Sequence, residues 1–411
     1  MRQPKLLTTL KTYDRQQLGA DLKAGVTVAM IALPLSLAIA IASGADPGTG
    51  LITAIIGGFF ISALGGSRVQ IGGPTGAFIV VVFGIIAEHG YDGLVLATLM
   101  AGVLLLLAGA LRAGRLVALV PEPVINGFTI GIAIIIATSQ IKTFLGLELA
   151  QEPADFLEKL PALWGARGTL SLSTLCIGLA SMALIVVLRR AAPRQPGLIV
   201  AVAITSALVA LFGLSVETLH SRFGALPTAL PAPAWPDLSI ERMIELLPSA
   251  VIIAVLAAIE SLLSAIVADR MIEGNHRPNA ELLAQGVANS ASALFGGLPV
   301  TGAIARTATN VRAGGQTPMA GIFHALTILI VMLVAAPAAG HLAMPALAAL
   351  LMLTAWNMSE PDRWASYAQA PWPDRVLLLI TLALTVLVDL TVAIGVGVAL
   401  DLLLRRLRAR R

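Results

Sequence analysis

The chain has 411 residues, of which 57% are hydrophobic and 12% are charged, and its formal net charge is +4. A soluble domain is typically about 25% charged, so this chain lacks the groups that would solvate a water-facing surface. The composition, with a mean hydropathy of +0.89, excludes an ordinary soluble protein and indicates a chain surrounded mostly by lipid. Because Cys176 is the single cysteine, an internal disulfide framework and a cysteine-based metal cluster are also excluded.

Glycines, prolines and charged clusters divide the sequence into fourteen apolar segments, which we predict to be membrane-spanning helices. In chain order, the predicted spans are 22–44, 50–65, 75–88, 93–112, 122–144, 168–188, 196–215, 246–268, 280–296, 302–314, 317–338, 342–356, 372–388 and 390–405. Two amphipathic stretches are predicted near 153–165 and 359–369. The first segment is too long for a cleavable signal peptide and lacks a cleavage-site pattern.

The positions of the basic residues predict the orientation of the spans. Lysine and arginine concentrate in cytoplasmic loops. With fourteen spans and both termini inside, the outer loops receive only Lys142, Lys159, Arg167 and Arg222 out of 27 lysines and arginines. Arg242 and Arg306 fall within or beside spans, and all the others lie inside. The sequence therefore favours a multi-pass protein of a bacterial cytoplasmic membrane with both termini cytoplasmic.

Two segments have matching entries, which indicates an internal repeat. Gly72-Gly73-Pro74-Thr75-Gly76-Ala77 and Gly296-Gly297-Leu298-Pro299-Val300-Thr301-Gly302-Ala303 both precede a short apolar helix. Because each copy would hold seven spans, the second must enter the membrane from the opposite face, as in many secondary transporters. We therefore expect an all-α, seven-plus-seven inverted repeat in which the third and tenth segments are half-helices.

The repeat divides the chain into five parts. We expect a cytoplasmic segment at 1–20, a first repeat at 21–215, an extracytoplasmic linker at 216–245, a second repeat at 246–405 and a basic cytoplasmic tail at 406–411. The tail is predicted to contact anionic lipid and no nucleic acid.

The two half-helices predict an anion site. Gly-Gly-Pro breaks a regular helix, and Thr75 and Thr301 are then expected to cap helices that begin inside the membrane. The positive ends of two such helices would face one cavity and attract an anion. The alternative is that these glycines and prolines are ordinary helix kinks.

A charged residue inside a membrane span raises the free energy of insertion, so the presence of Glu260 and Arg306 in predicted spans requires an explanation. Glu260 lies near the middle of the eighth segment and is a candidate proton carrier, with Ser264 one turn later on the same face. Arg306 lies one turn into the second short helix, where its charge would draw an anion. The alternatives are a structural Glu260 paired with a neighbouring helix and an Arg306 that forms a salt bridge with Glu260 or another carboxylate.

Several motifs resemble those of the sulfate permease family (solute carrier family 26). They are Asp21-Leu22-Lys23-Ala24-Gly25 with Pro34 and Ala38-Ile39-Ala40, Gly65-Gly66-Ser67-Arg68 with the first glycine-proline motif, Pro121-Glu122-Pro123-Val124-Ile125-Asn126-Gly127-Phe128, and Glu281-Leu282-Leu283-Ala284-Gln285-Gly286-Val287-Ala288-Asn289 continuing to Arg306-Thr307. The resemblance covers about residues 20–405. Family members usually carry a cytoplasmic STAS domain after the last helix. This sequence ends six residues after the last predicted span, so the resemblance implies a STAS domain that either was removed or is naturally absent.

The resemblance implies a core domain and a gate domain with an anion bound between the third and tenth segments. Carried over to this sequence, substrate would contact Thr75, Gly76, Ala77, Thr301, Gly302, Ala303 and Arg306, and Glu260 with Ser264 would bind the coupling ion. Some members have an aspartate and a sodium site at the position of Glu260, whereas glutamate favours a proton here. A homodimer would also fit the family.

The favoured function is proton-coupled symport of a small anion by alternating access, with a dicarboxylate such as fumarate, bicarbonate or sulfate as substrate. Sodium-coupled symport, anion exchange, a passive anion channel and a nucleobase permease of the same architecture are alternatives. No catalytic constellation, metal cluster or nucleotide-binding loop is found in the sequence, so we expect no enzyme activity and no cofactor beyond the coupling ion.

Overall fold

The computed structural model describes residues 3–115, 121–149, 153, 156–191, 196–388 and 390–408. Within these ranges the longer elements are helices α1 Lys5–Thr9, α2 Arg15–Ala42, α3 Pro47–Ile52, α4 Gly58–Leu64, α5 Ile79–Ala110, α6 Glu122–Leu145, α7 Phe156–Gly165, α8 Leu172–Ala191, α9 Gly197–Leu211, α10 Leu219–Phe223, α11 Ile240–Ile272, α12 Pro278–Leu294, α13 Ile304–Arg312, α14 Met319–Ala339, α15 Met344–Met358, α16 Trp364–Gln369, α17 Trp372–Leu387 and α18 Leu390–Arg408. Two short strands complete them, β1 Gly72–Gly73 and β2 Thr301–Gly302.

All fourteen predicted segments coincide with helix, but their lengths differ. Seven helical stretches in the described ranges are long and apolar enough to cross a membrane, namely Arg15–Ala42, Pro47–Leu64, Gly76–Ala110, Glu122–Leu145, Leu172–Ala191, Ile240–Ile272 and Met319–Ala339. The remaining segments are shorter or more polar helices, so the count of fourteen spans is not confirmed. Asp389, which the sequence places at the junction of the last two predicted segments as a turn or cap residue, lies outside the described residues.

The third and fourth predicted segments form one helical stretch with a kink. A short 3₁₀ turn, Gly76–Phe78, leads directly into α5. Within α5 the chain changes direction at Gly90, whose φ of 71° and ψ of −180° are not helical. A positive φ is readily available to glycine, so Gly90 allows the turn without a connecting loop.

The helices pack in two groups. The first group contains α2 to α5 and α11 to α14, and the second contains α6, α8, α9, α15, α17 and α18. The groups meet mainly where α2 packs against α9 and α15. Large apolar side chains such as Leu111, Leu211 and Val334 are more than three-quarters exposed on the outside. Such exposure suits a surface that faces lipid.

Two glycine-rich stretches pair in the middle of the first group. β1 and β2 are antiparallel, with Gly72 opposite Gly302 and Gly73 opposite Thr301. Glycine is needed at two positions for this close approach. A Cβ on Gly302 would lie 1.5 Å from the Gln70 side chain, and a Cβ on Gly57 would lie 2.6 Å from the Val300 side chain. The matched motifs of the repeat therefore meet each other directly.

Candidate functional site

The first predicted half-helix begins beside the carboxylate of Glu260. Thr75 stands at the start of the 3₁₀ turn, and its hydroxyl donates a 2.8 Å hydrogen bond to Glu260 Oε2. Thr75 is buried, whereas Glu260 on α11 is partly exposed. Glu260 therefore links α11 to the start of the 3₁₀ turn that leads into α5.

Neither threonine caps its helix through its side chain, contrary to the prediction. The Thr75 hydroxyl is engaged with Glu260, and no side chain caps the turn that follows it. Thr301 lies in β2, where its hydroxyl donates a 2.9 Å hydrogen bond to the Ala257 carbonyl. Helix α13 starts later than expected, with Ala303 at its N-cap position, because the β1–β2 pairing keeps Thr301 and Gly302 extended.

Arg306 projects from the first turn of α13 into a buried position between the two strands and α2. Its side chain is 2% exposed, and Nη2 donates a 3.2 Å hydrogen bond to Ser36 Oγ on α2. Nη1 lies so close to β1 that a Cβ on Gly73 would be 1.8 Å from it. Glycine at this position is therefore what admits the guanidinium.

Only one of the three guanidinium nitrogens of Arg306 has a hydrogen-bond partner in the described part of the chain. Nε and Nη1 are buried and have no hydrogen-bond partner in the described part of the chain. No carboxylate among the described residues lies within 4.0 Å of it, and Glu260 is hydrogen bonded to Thr75. A buried cation without a partner costs several kcal/mol. The position is therefore one where an anion would be stabilised.

The backbone around Arg306 adds N–H groups, whose partial charge is positive like that of the guanidinium. The N–H groups of the first residues of a helix have no acceptor within the helix, and they carry the positive end of its dipole. Both Gly76, which begins the 3₁₀ turn, and Ile304, which begins α13, are such helix starts. The two starts are brought together by the β1–β2 pair, which directly precedes both of them.

Gly76 and Ser264, which were also predicted at the site, border it, but Ser264 has a different hydrogen-bond partner from the one expected. A Cβ on Gly76 would lie 3.1 Å from Met358 and 3.2 Å from Ile136 of the second helix group, so this side of the site faces that group. Ser264 does not share a hydrogen bond with Glu260. Its Oγ lies 3.1 Å from Thr307 Oγ1, because one helical turn along α11 brings it opposite α13.

A buried polar network behind Glu260 was not predicted. Glu281 on α12 is fully buried, and its carboxylate accepts hydrogen bonds from Ser261 Oγ at 2.8 Å and from the Gly66 N–H at 2.9 Å. Gln285 and Gln70 both donate to Ser261 Oγ, at 2.7 and 2.9 Å. The spacing of Glu281 and Gln285, four residues apart in an apolar segment, was the available signal.

A second buried acid is Asp21, whose position near the start of the first predicted span favours contact with the membrane interface. It is fully buried and accepts hydrogen bonds from the N–H groups of Gln316 and Thr317, from the Thr317 hydroxyl and from Tyr13 Oη at 3.2 Å. It therefore fixes the start of α14 on the first turns of α2.

Comparisons with known proteins identify the family of the chain. The model of the "Sulfate permease family" matches residues 18–381. The Bacillus subtilis protein YvdB is 42% identical over 391 residues, which cover 95% of this chain and 74% of that protein. The "Bicarbonate transporter BicA" of Picosynechococcus is 32% identical over 405 residues, which cover 95% of this chain and 70% of that protein.

Solved structures show the same architecture. The transmembrane domain of a cyanobacterial bicarbonate transporter BicA superposes with a TM-score of 0.83 at 31% identity, covering 93% of this chain and 98% of that one. Murine solute carrier 26 family member A9 has a TM-score of 0.88 at 17% identity, covering 98% of this chain and 71% of that one, which supports the fold alone. The fold and the sequence define a helical membrane transport protein. The chain belongs to the sulfate permease family.

Proposed function

We propose that this protein is a secondary anion transporter that binds its substrate between Arg306 and the starts of the two helices at Gly76 and Ile304. The observation that carries the proposal is the buried guanidinium of Arg306, whose Nε and Nη1 lack partners in the described residues. An anion at this position would accept hydrogen bonds from Arg306 and from backbone N–H groups. Both kinds of hydrogen bond are stronger in a site of low dielectric constant.

The substrate we favour is a small oxyanion, bicarbonate or sulfate. The family model is named for sulfate, and two cyanobacterial relatives are named bicarbonate transporters. The residues near Arg306, which include Thr75, Ala77, Gly302 and Ala303, are small and leave recognition mainly to charge and backbone donors. A dicarboxylate such as fumarate, favoured from the sequence, remains a member of the test panel. A nucleobase would need side chains that read its edges, and none of these residues offers them.

The transport cycle we propose couples the anion to a proton carried by Glu260. A carboxyl group in a membrane-spanning helix can bind and release a proton as its surroundings change. Thr75 binds this carboxylate at the start of the helix that meets the substrate. Protonation would therefore change the hydrogen bond that positions the site. Sodium is the alternative coupling ion, with Ser264 as a further ligand beside Glu260.

The movement we propose is that of one helix group against the other. The first group holds Thr75, Glu260 and Arg306 and acts as the core, and the second acts as the gate. The fourteen segments would form two seven-segment repeats, at 21–215 and 246–405, with both termini in the cytoplasm of a bacterial cell. Gly76 faces Ile136 and Met358 across the boundary between the groups, so motion there would open or close the site.

The decisive experiment is uptake into proteoliposomes of labelled bicarbonate, sulfate and fumarate, with and without a proton or sodium gradient. We expect one of these anions to be concentrated when a proton gradient is imposed. Flux that never exceeds equilibration would indicate a passive channel, and concentration that requires sodium would assign the coupling ion to sodium.

A further inference from the structure

A second polar cavity lies beside the N-terminal segment, at residues other than those of the Arg306 site. It has a volume of about 240 Å³, and two cations, Lys5 and Arg68, line it together with Gln17 and four threonines. It contains no residue of the proposed transport site. Its chemistry therefore needs a separate explanation.

Both cations of this cavity lack partners. Neither the Lys5 ammonium group nor the Arg68 guanidinium forms a hydrogen bond or an ion pair with any residue that the structure describes. The neighbouring Arg277 is different, because its Nη1 donates to the carbonyls of Gln3 at 2.9 Å and Pro4 at 3.3 Å. Burial and the charges of Arg277 and Arg68 lower the pKa of Lys5, while Asp269 acts in the opposite direction. The cavity is therefore lined by two cations that have no direct counterion among the described residues.

The nearby carboxylates make no direct contact with Lys5 or Arg68 in the described part of the chain, because each is directed to another partner. Asp269 lies 2.6 Å from His276 Nδ1, Asp21 accepts hydrogen bonds from Thr317 and Tyr13, and Asp14 Oδ1 caps α2 by accepting from the Gln17 N–H at 2.7 Å. The side chains of Lys5 and Arg68 are therefore available to contact an anion from outside the chain.

Gln17 supplies a neutral donor at the same place. Its Oε1 accepts a 3.2 Å hydrogen bond from the Asp14 N–H, which leaves its Nε2 amide group without a partner in the described ranges. The threonine hydroxyls contribute less, since Thr8 and Thr9 already donate to the Lys5 carbonyl at 2.8 and 3.1 Å. Two cations and one amide therefore define the binding chemistry.

The cavity joins two parts of the protein. Lys5 belongs to α1, which is attached to the core by a 2.9 Å hydrogen bond from its N–H to the Gly65 carbonyl. Arg68 lies in the segment between α4 and β1, four residues before Gly72. A ligand that bridges Lys5 and Arg68 would hold the N-terminal segment against the loop that leads to the transport site.

We propose that this cavity is a second anion site, separate from the transport site, that binds a phosphate-type oxyanion between Lys5 and Arg68. Free phosphate and the phosphate of a lipid headgroup have this chemistry in common. Binding stabilises the docked position of residues 5–13 on the core. Because the two sites have no residue in common, this proposal does not depend on the substrate of the first.

The test is the thermal midpoint of the full chain in detergent, measured against inorganic phosphate. Phosphate is expected to raise the midpoint of the native protein, and Lys5→Gln and Arg68→Gln are each expected to weaken its apparent affinity by about tenfold. Lys11→Gln is the matched control, because Lys11 is exposed on the same segment and does not line the cavity. Arg306→Gln, which removes the charge of the transport site, should leave this phosphate response in place.

The proposal is overturned by an unchanged phosphate response in both Lys5→Gln and Arg68→Gln. It is also overturned if Arg306→Gln abolishes the response, which would assign phosphate to the transport site. A second series replaces phosphate with vesicles of phosphatidic acid or phosphatidylcholine. Protection by phosphatidic acid that both cavity variants lose identifies the headgroup as the source, and protection by free phosphate alone identifies a soluble ion. No protection by either ligand would also contradict the site.

Discussion

Thr75 and Glu260 are joined by a hydrogen bond of 2.8 Å although 185 residues separate them in the sequence. The donor begins the first short helix, and the acceptor lies in the middle of α11. A carboxylate and a neutral carboxyl group differ in how strongly they accept a hydrogen bond. The protonation state of Glu260 is therefore connected to the position of the helix start beside the anion.

Replacing Glu260 with glutamine tests the coupling role. We expect Glu260→Gln to abolish anion uptake driven by a proton gradient and to retain exchange of anions across the membrane, because glutamine keeps the size of the side chain but cannot carry a proton. The measurement is uptake and counterflow in proteoliposomes. Glu241→Gln, at an exposed position near the start of the same helix, is the control. Full proton-driven uptake in Glu260→Gln would count against coupling through this residue.

Replacing Arg306 with glutamine separates a binding role from a structural one. Burying a charged group that is only partly paired costs free energy on folding. Without an anion, Arg306→Gln removes this cost and should raise the thermal midpoint. With the transported anion, the native protein should be stabilised and Arg306→Gln should not. Arg312→Gln, exposed at the end of the same helix, should behave like the native protein. A lower midpoint for Arg306→Gln in the absence of anions would indicate that Arg306 serves mainly to hold α13 on α2.

Gly73 provides an independent test of the position of Arg306. A Cβ at this residue would be 1.8 Å from Arg306 Nη1, so Gly73→Ala should displace the guanidinium and reduce the affinity for the anion by about tenfold or more, the effect of weakening one charged hydrogen bond. Gly84→Ala is the control, because a Cβ there meets nothing within 4 Å. Uptake kinetics at several anion concentrations give the affinity. Equal affinities in the two variants would mean that the guanidinium position is unimportant.

The contact between Tyr13 and Asp21 predicts a loss of stability at high pH. Burial, followed by the charge of Asp21 and its hydrogen bond, raises the pKa of Tyr13 to about 12 from 10.0. Because the folded-state pKa is the higher one, the contribution of the phenol is complete below pH 10 and is lost as the pH rises towards about 12. The thermal midpoint of Tyr13→Phe should therefore be lower than that of the native protein near neutral pH. The difference should shrink above about pH 10, and a constant difference up to about pH 12 would contradict this assignment.

The sequence was most informative about the local breaks in the chain. The Gly-Gly-Pro and Gly-Gly-Leu-Pro motifs correctly indicated where helices are interrupted, since glycine and proline restrict the backbone wherever they occur. The prediction from the sequence was wrong about the hydrogen-bond partners of Thr75, Thr301 and Ser264. Each of these side chains has a polar group within reach from a distant helix, and that group prevails over the local cap or the neighbour one turn away.

The sequence by itself determined that this protein lies in a membrane, where its helices break and which family it belongs to, because hydropathy, backbone restriction and motif spacing are properties of neighbouring residues. Only the tertiary structure decided that β1 pairs with β2, that Arg306 lies against Gly73, and that Asp21 and Glu281 are buried acids with full sets of donors. The strand pair, the contact of Arg306 with Gly73, and the hydrogen bonds from Thr317 to Asp21 and from Gly66 to Glu281 each join residues about 200 or more positions apart. They arise from how the helices pack against one another, which no local pattern specifies.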